Sequence, residues 1–256
     1  MDDWVLFAIA IVLVAFVPSL LYLVWVRNTE KYSREPWGAV VKVFFYGSLI
    51  SVIIAIALEI VLASFFNRNL ERLYEFVGEN PSIPVLILAC VIAPFVEEAA
   101  KAVGVFRARS RRMLTELENG IVYGAAAGLG FAATENLLYE FSAYASDGAG
   151  AWIATAIVRS LSSALLHATA SALFGFGIAK SGILRKSWLP YYLGAVGLHS
   201  AFNFSASFGA LYESSLGDLA YLIGLSVAFI IAIMGFSMLR GKIRSLDTRH
   251  RRRRLK

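Results

Sequence analysis

The sequence predicts an all-α fold, a polytopic integral membrane bundle of about seven transmembrane helices with the N-terminus outside and the C-terminus inside. Three observations predict it. The 256 residues are 58% hydrophobic and 13% aromatic, a composition that excludes an ordinary soluble domain. They fall into repeated apolar runs of about 20 residues, the length that crosses a hydrocarbon core roughly 30 Å thick. The basic residues crowd alternate connections between those runs.

The spans read, in order, as roughly 4–26, 37–66, 83–106, 120–145, 151–179, 188–212 and 217–240. A bilayer offers no water to unpaired backbone groups, so each must be a helix. The first opens on Asp2 and Asp3 and lacks a small-residue cleavage site after its apolar run, so it is expected to remain as an anchor. Basic residues follow spans 1, 3 and 5 (Arg27, Lys31 and Arg34; Arg107, Arg109, Arg111 and Arg112; Lys180, Arg185 and Lys186) and fill the tail. This places 19 of the 24 on one side. Cytoplasmic loops collect positive charge, which sets the orientation.

Net charge is +6, but the tail from Arg240 carries nine positive charges and one negative, so the basicity is local. RHRRRR at 249–254 reads as a positive-inside stop and a contact for anionic lipid headgroups; with no folded soluble module beside it, nucleic acid is not expected as a partner. Between spans 2 and 3, residues 67–82 place Leu70, Leu73, Tyr74 and Val77 at helical spacing, as in a short helix lying on the outer surface. Cys90, the single cysteine, excludes an internal disulfide and reads as a packing residue.

The informative feature is charge inside the spans. Each such group costs several kcal/mol unless it faces a protein interior or a watery cavity and is paired. Glu59, Arg159 and Glu140 lie towards the outer ends of their helices, and an ion pair among them is expected. The other polar groups form a different set. Glu97, Glu98 and Lys101 lie on span 3, Glu135 and Asn136 on span 4, His167 on span 5, and His199 and Asn203 on span 6. Four consecutive helices thus bring polar groups to similar depth, as a buried chamber requires. Lys101 stands at i+4 from Glu97 and i+3 from Glu98, so by spacing it can pair with either. Pro94 removes the hydrogen bond to the Cys90 carbonyl and can kink span 3. Gly120, Gly124, Gly128 and Gly130 give span 4 a small-residue face for close helix approach. His199 and Asn203, one turn apart, can point at a single atom.

A carboxylate can take a proton from water, and imidazole N–H and amide NH₂ groups can stabilise the oxyanion that forms when that water attacks a carbonyl. The set therefore suits acyl hydrolysis. Cys90 has no evident base, and the serines lack a nucleophile-elbow context.

EEAAK at 97–101, GLGFAATENLLY at 128–139, His167, and HSAFN at 199–203 resemble the PrsW family of membrane-embedded proteases, related to CAAX prenyl endopeptidases. The resemblance covers roughly residues 83–205. It implies one membrane-embedded peptidase domain over 1–256, with catalytic helices at about 83–212 and a basic cytoplasmic tail at 241–256. It further implies a multi-pass protein of a prokaryotic plasma membrane that cuts membrane-anchored proteins, anti-sigma factors among them. Carried across, Glu97 is the general base, Glu98 the partner of Lys101, and His199 with Asn203 the oxyanion donors. CAAX proteases have histidine where this chain has Glu135, so the role of Glu135 is open: orienting His167, binding water or holding a metal. No cofactor is required by this scheme. The alternative is zinc, held by Glu97, Glu135, His167 and His199, although no HExxH is present. A proton- or ion-coupled transporter could use the same buried acids and histidines, but the chain lacks the internal repeat of many transporters.

Overall fold

A computed structural model describes residues 3–77 and 82–254; all the regular structure among them is helical. Helix α1 (Asp3–Arg27) leads through a loop to α2 (Trp37–Phe45), which Pro36 introduces in extended conformation. A π-helical turn, Tyr46–Ser51, joins α2 to α3 (Val52–Val77), and a second, Leu88–Ile92, joins α4 (Ser82–Ile87) to α5 (Ala93–Ser110). Then follow α6 (Leu117–Leu161), α7 (Ser163–Leu184), α8 (Leu189–Leu216) and α9 (Asp218–Arg254).

Among the described residues, five stretches are long and apolar enough to cross a membrane: Trp4–Arg27, Trp37–Phe66, Ile83–Ser110, Leu117–Leu184 and Asp218–Thr248. The fourth, at 68 residues, would extend about 100 Å as one straight helix, far beyond a bilayer. It is broken twice. Gly148 adopts φ 76°, ψ −164°, with open space around it, so glycine is there for its backbone freedom. Ser162 (φ −125°, ψ −64°) makes the second break. The expected span 151–179 is therefore cut at Ser162 into the end of α6 and the whole of α7. Helix α8 is long but diluted by His199, Asn203 and several serines. Two further boundaries differ from expectation. Helix α3 runs unbroken to Val77, so residues 67–77 extend span 2 rather than forming a separate helix, and 78–81 lie outside the described residues. Helix α9 continues through the basic tail as far as Arg254.

The centre of the bundle is the α6–α7 pair. Between Ile121 and Ala133 α6 is buried on every side, and α7 is buried over most of 163–179. Alanine and glycine dominate these stretches because the backbones nearly touch. A Cβ on Gly120, Gly124 or Gly128 would come within 2.3 Å of a backbone oxygen of α7, Gly128 meeting the His167 carbonyl at 2.2 Å. Gly130 faces the other way, towards the Phe44 carbonyl of α2. The predicted glycine face thus serves two neighbours, consistent with the roughly 200° between positions two apart. Helices α1, α3 and α9 wrap this pair and turn Trp4, Leu13, Ile53, Val61, Leu222 and Met238 outward, exposed as lipid-facing side chains are.

One end of the bundle is tied by polar contacts. Asp247 of α9 accepts the backbone N–H groups of Lys31 (2.7 Å) and Tyr32 (3.2 Å), and Arg240 donates to Thr29 (3.1 Å). Asn119 and Tyr123 of α6 donate to Glu35, and Arg109 of α5 reaches Ser181 of α7. The basic connections and the tail therefore gather at the same end.

In this clasp Glu30 is fully buried, its carboxylate accepting the Glu35 N–H at 3.1 Å through Oε2. Burial raises its pKa to about 8 from the ordinary 4.5; the Glu35 N–H opposes this, while Glu35, Glu118 and Asp247 add to it. Between those values folded Glu30 keeps a proton that the unfolded chain loses, so its contribution to stability is full below about 4.5 and is lost as pH rises to about 8. Thermal unfolding in detergent should show a midpoint falling across that window, and Glu30→Gln should flatten the slope.

Candidate active site

The chamber predicted from the sequence assembles around one ammonium group. Lys101 Nζ is fully buried and lies 2.9 Å from Glu97 Oε2, 2.8 Å from Glu98 Oε1 and 2.7 Å from His167 Nδ1. An ammonium has three protons and accepts nothing, so each contact is a donated hydrogen bond. Lys101 therefore serves both glutamates, where a single partner, Glu98, was expected.

The other contacts follow from that choice. His167 Nδ1 accepts from lysine, so its proton sits on Nε2, which donates to Glu135 Oε2 at 2.8 Å. Arg159 Nη2 donates to the same Glu135 oxygen at 2.8 Å, and its Nε donates to Asn136 Oδ1 at 2.8 Å. On the other side, His199 Nδ1 donates to Glu98 Oε1 at 3.0 Å, and Ser171 Oγ donates to Glu98 Oε2 at 2.9 Å. Glu98 is thus held by three residues, whereas Glu97 has one hydrogen bond, from Lys101. Glu97 is the less committed carboxylate, as the resemblance implied. Phe131 closes the chamber, its ring centroid 4.2 Å from Lys101 Nζ.

Two expectations need correction: the partner of Arg159 and the carbonyl that Pro94 leaves free. Arg159 pairs with Glu135, not with Glu59 or Glu140; the Gly148 break turns the last part of α6 back along its first part, so that Arg159 reaches Glu135 and Glu140 accepts from Trp152 at 3.1 Å. Asn203 Nδ2 donates to the Ala89 carbonyl at 2.8 Å, so its amide is partly engaged. The reason lies in the π-helical turn. There the Ala93 N–H bonds to the Leu88 carbonyl, five residues back, so the next partner in that register would be Pro94 to Ala89. Pro94 has no N–H. The orphaned carbonyl is that of Ala89, not Cys90 as an α-helical register predicts, and Asn203 satisfies it. Asn136 faces Arg159 rather than a reacting atom.

Spacing could have found Ser171, which lies one turn from His167 on the same face. Ser163 and Phe131 carried no comparable signal. Glu97, Glu135, Arg159, Ser163, His167 and Asn203 border a cavity of about 420 Å³, walled on the far side by Val52, Ala55 and Glu59 of α3. A carboxylate, histidines and amide and guanidinium donors around such a space can bind water and a carbonyl together.

A metal fits the donor set. One ligand atom from each of Glu97, His167 and His199 can be chosen so that all lie within 4.8 Å of one another. Each histidine is oriented by a carboxylate through its other ring nitrogen, as metal-bound histidines usually are. His199 Nε2 and His167 Nδ1 lie 3.9 and 4.0 Å from Glu97 Oε2. Two histidines and a glutamate match a catalytic zinc site with an open position. Glu135, the fourth expected ligand, falls outside this set because Arg159 and the protonated side of His167 occupy its oxygen. Lys101 competes for the same His167 nitrogen and Glu97 oxygen.

The chain is 35% identical over 131 residues to a Protease PrsW of Clostridioides difficile (strain 630), covering 51% of this chain and 50% of that one. It is 28% identical over 188 residues to the Protease PrsW of Geobacillus kaustophilus (strain HTA426), covering 70% and 74%. It is 26% identical over 201 residues to that of Bacillus subtilis (strain 168), covering 76% and 82%. The match thus spans half the length of the first relative and more of the other two. No solved structure matches the chain. A family model described as PrsW family intramembrane metalloprotease matches residues 35–235, a region containing every chamber residue named above. The chain belongs to the PrsW family of intramembrane proteases.

Proposed function

We propose that this protein hydrolyses peptide bonds of membrane-anchored proteins, with water activated by Glu97 in the cavity between α3, α5, α6 and α8. The observation that carries the reading is the continuous buried network from Arg159 through Glu135, His167, Lys101 and Glu98 to His199, which leaves Glu97 as the lightly bonded acid at the cavity wall.

In this mechanism Glu97 takes a proton from water as the oxygen attacks the scissile carbonyl. The C–O bond forms and the carbonyl oxygen becomes an oxyanion. Asn203, with its second amide hydrogen, and Arg159 supply donors facing the cavity. His199 Nε2 can donate only as imidazolium, since Nδ1–H is committed to Glu98. Collapse breaks the C–N bond, and Glu97 passes its proton to the departing amine, giving a carboxylic product and an amine product.

The donor cluster supports a second reading, in which Glu97, His167 and His199 hold zinc, as the family description suggests. Bound there, zinc would polarise the carbonyl and lower the pKa of its water. Lys101 would then have to give up its bonds to His167 and Glu97. The first reading needs no such change and stands first. Membership of a protease family also favours hydrolysis over ion-coupled transport.

The proposed setting is a multi-pass protein of a prokaryotic plasma membrane, with about seven crossings, the N-terminus outside and the basic end in the cytoplasm against anionic lipid. The gathering of the basic connections at one end of the bundle supports this orientation. Regulated proteolysis of signalling proteins such as anti-sigma factors is the corresponding role.

Purified protein and a single-span substrate test the chemistry. Glu97→Gln should lower cleavage by about 10²–10⁴-fold, the typical contribution of general-base catalysis, with the fold retained. Cleavage by that variant at the parent rate would overturn the mechanism. Treatment with a strong chelator followed by metal analysis separates the readings. The first predicts full activity with no bound metal. Loss on chelation, restored by Zn²⁺ and absent in His199→Gln, would establish the second.

A further inference from the structure

Among the described residues, Glu59 is the acid bordering the chamber cavity that pairs with no cation. Lys101 is taken by Glu97 and Glu98, and Arg159 by Glu135. With the histidines neutral in the tautomers described, four acids face two cations, and the surplus sits on α3. Glu59 Oε1 is buried without a hydrogen-bond partner, and the charges that reach the residue are those of Glu97, Glu135 and Lys101. Its helical neighbours Ile56 and Ile60 are exposed and lipid-facing, so a carboxyl here is costly to place in a membrane, which points to a functional purpose.

Its position suggests that purpose. Glu59, Ala89 and Ala93 border both the chamber cavity and a second, apolar one of about 390 Å³, walled by Ile60, Val85 and Leu88. This second cavity lies between α3 and the α4–α5 junction and is lined by side chains open to the membrane, with Val85 64% and Ile60 62% exposed. A polypeptide reaching Glu97 from the lipid through this groove would place apolar residues against Ile60, Val85 and Leu88. It would then pass Glu59 before meeting Glu97.

We propose that Glu59 is a substrate-selecting residue. It receives a lysine or arginine side chain that lies between the apolar segment of a membrane-anchored substrate and the bond to be cut. The incoming cation supplies the hydrogen bonds that Glu59 Oε1 lacks and balances part of the surplus charge. The inference rests on the peptidase reading above, and it narrows the substrate class to single-span proteins with a basic residue at the border of the span.

Two measurements separate this proposal from that reading. Cleavage is compared for single-span peptides carrying Lys, Gln or Glu at each position bordering the apolar segment. At one position the parent should prefer Lys over Gln by about tenfold in kcat/KM, equivalent to one modest buried ion pair. Glu59→Gln should bring that ratio close to one, and Glu59→Lys should shift preference to the Glu peptide. Binding of the same labelled peptides to Glu97→Gln protein, read by fluorescence anisotropy, should show the same preference in Kd. Binding preference without cleavage by the parent would refute the peptidase reading and uphold the cation site. Cleavage and binding with no preference, or with a preference that Glu59→Gln leaves intact, would overturn the proposal while leaving the peptidase reading in place.

Discussion

The structure depends on a lysine ammonium placed where no water can solvate it. Desolvating a charge costs several kcal/mol, and the cost is met only if good geometry and further hydrogen bonds accompany the opposite charge. Lys101 has all three protons placed, on Glu97, Glu98 and His167. Each of these bonds fixes something else. The bond to His167 sets the imidazole tautomer, which sets the donor to Glu135, which in turn holds Arg159. The bond to Glu98 leaves that carboxylate to orient His199 and Ser171. Four helices are joined through one cation.

The fold supplies what that network needs. Lys101 reaches His167 because α5 packs directly against α7, and α7 is held in turn by α6, whose backbone almost touches it, as only glycine permits at Gly128 against the His167 carbonyl. The two π-helical turns flank the chamber, and each offers a carbonyl to a side chain from another helix: Ser48 to Thr134 at 2.7 Å, and Ala89 to Asn203 at 2.8 Å. Wide turns of this kind often mark functional sites, because they free backbone groups without breaking the helix. The break at Gly148 does similar work for Arg159, turning it back to Glu135. Gly47, Ser48, Ser51, Cys90 and Ser162 of this irregular backbone are buried against protein, the condition under which a membrane tolerates it.

Much of this was legible in the sequence. Apolar runs of spanning length gave the helices, and intramembrane charges gave the chamber residues, because lipid makes both conspicuous. Glu97, Glu98, Lys101, Glu135, His167 and His199 do converge as their depths suggested. What was not legible depended on backbone register or on three-dimensional direction. The π-helical turn moved the orphaned carbonyl from Cys90 to Ala89. The Ser162 break divided a span that hydropathy runs straight through. The partner of Arg159 was misread because similar depth brings Glu59 and Glu140 as near in sequence logic as Glu135, and depth does not reveal which way a helix face turns. Spacing placed Lys101 between two glutamates, but the third bond, to His167 on another helix, lies beyond any local pattern.

The most direct test of the central role of Lys101 is a double-mutant cycle on unfolding stability in detergent, with Lys101→Met, Glu98→Gln and the two combined. Removing one partner of a buried ion pair typically costs about 3–5 kcal/mol, because the remaining charge is left unpaired. Lys101→Met should therefore destabilise the protein severely, and adding Glu98→Gln should restore part of the loss. Parent-like stability of Lys101→Met, or losses from the two changes that simply add, would contradict the view that this ammonium holds the chamber together.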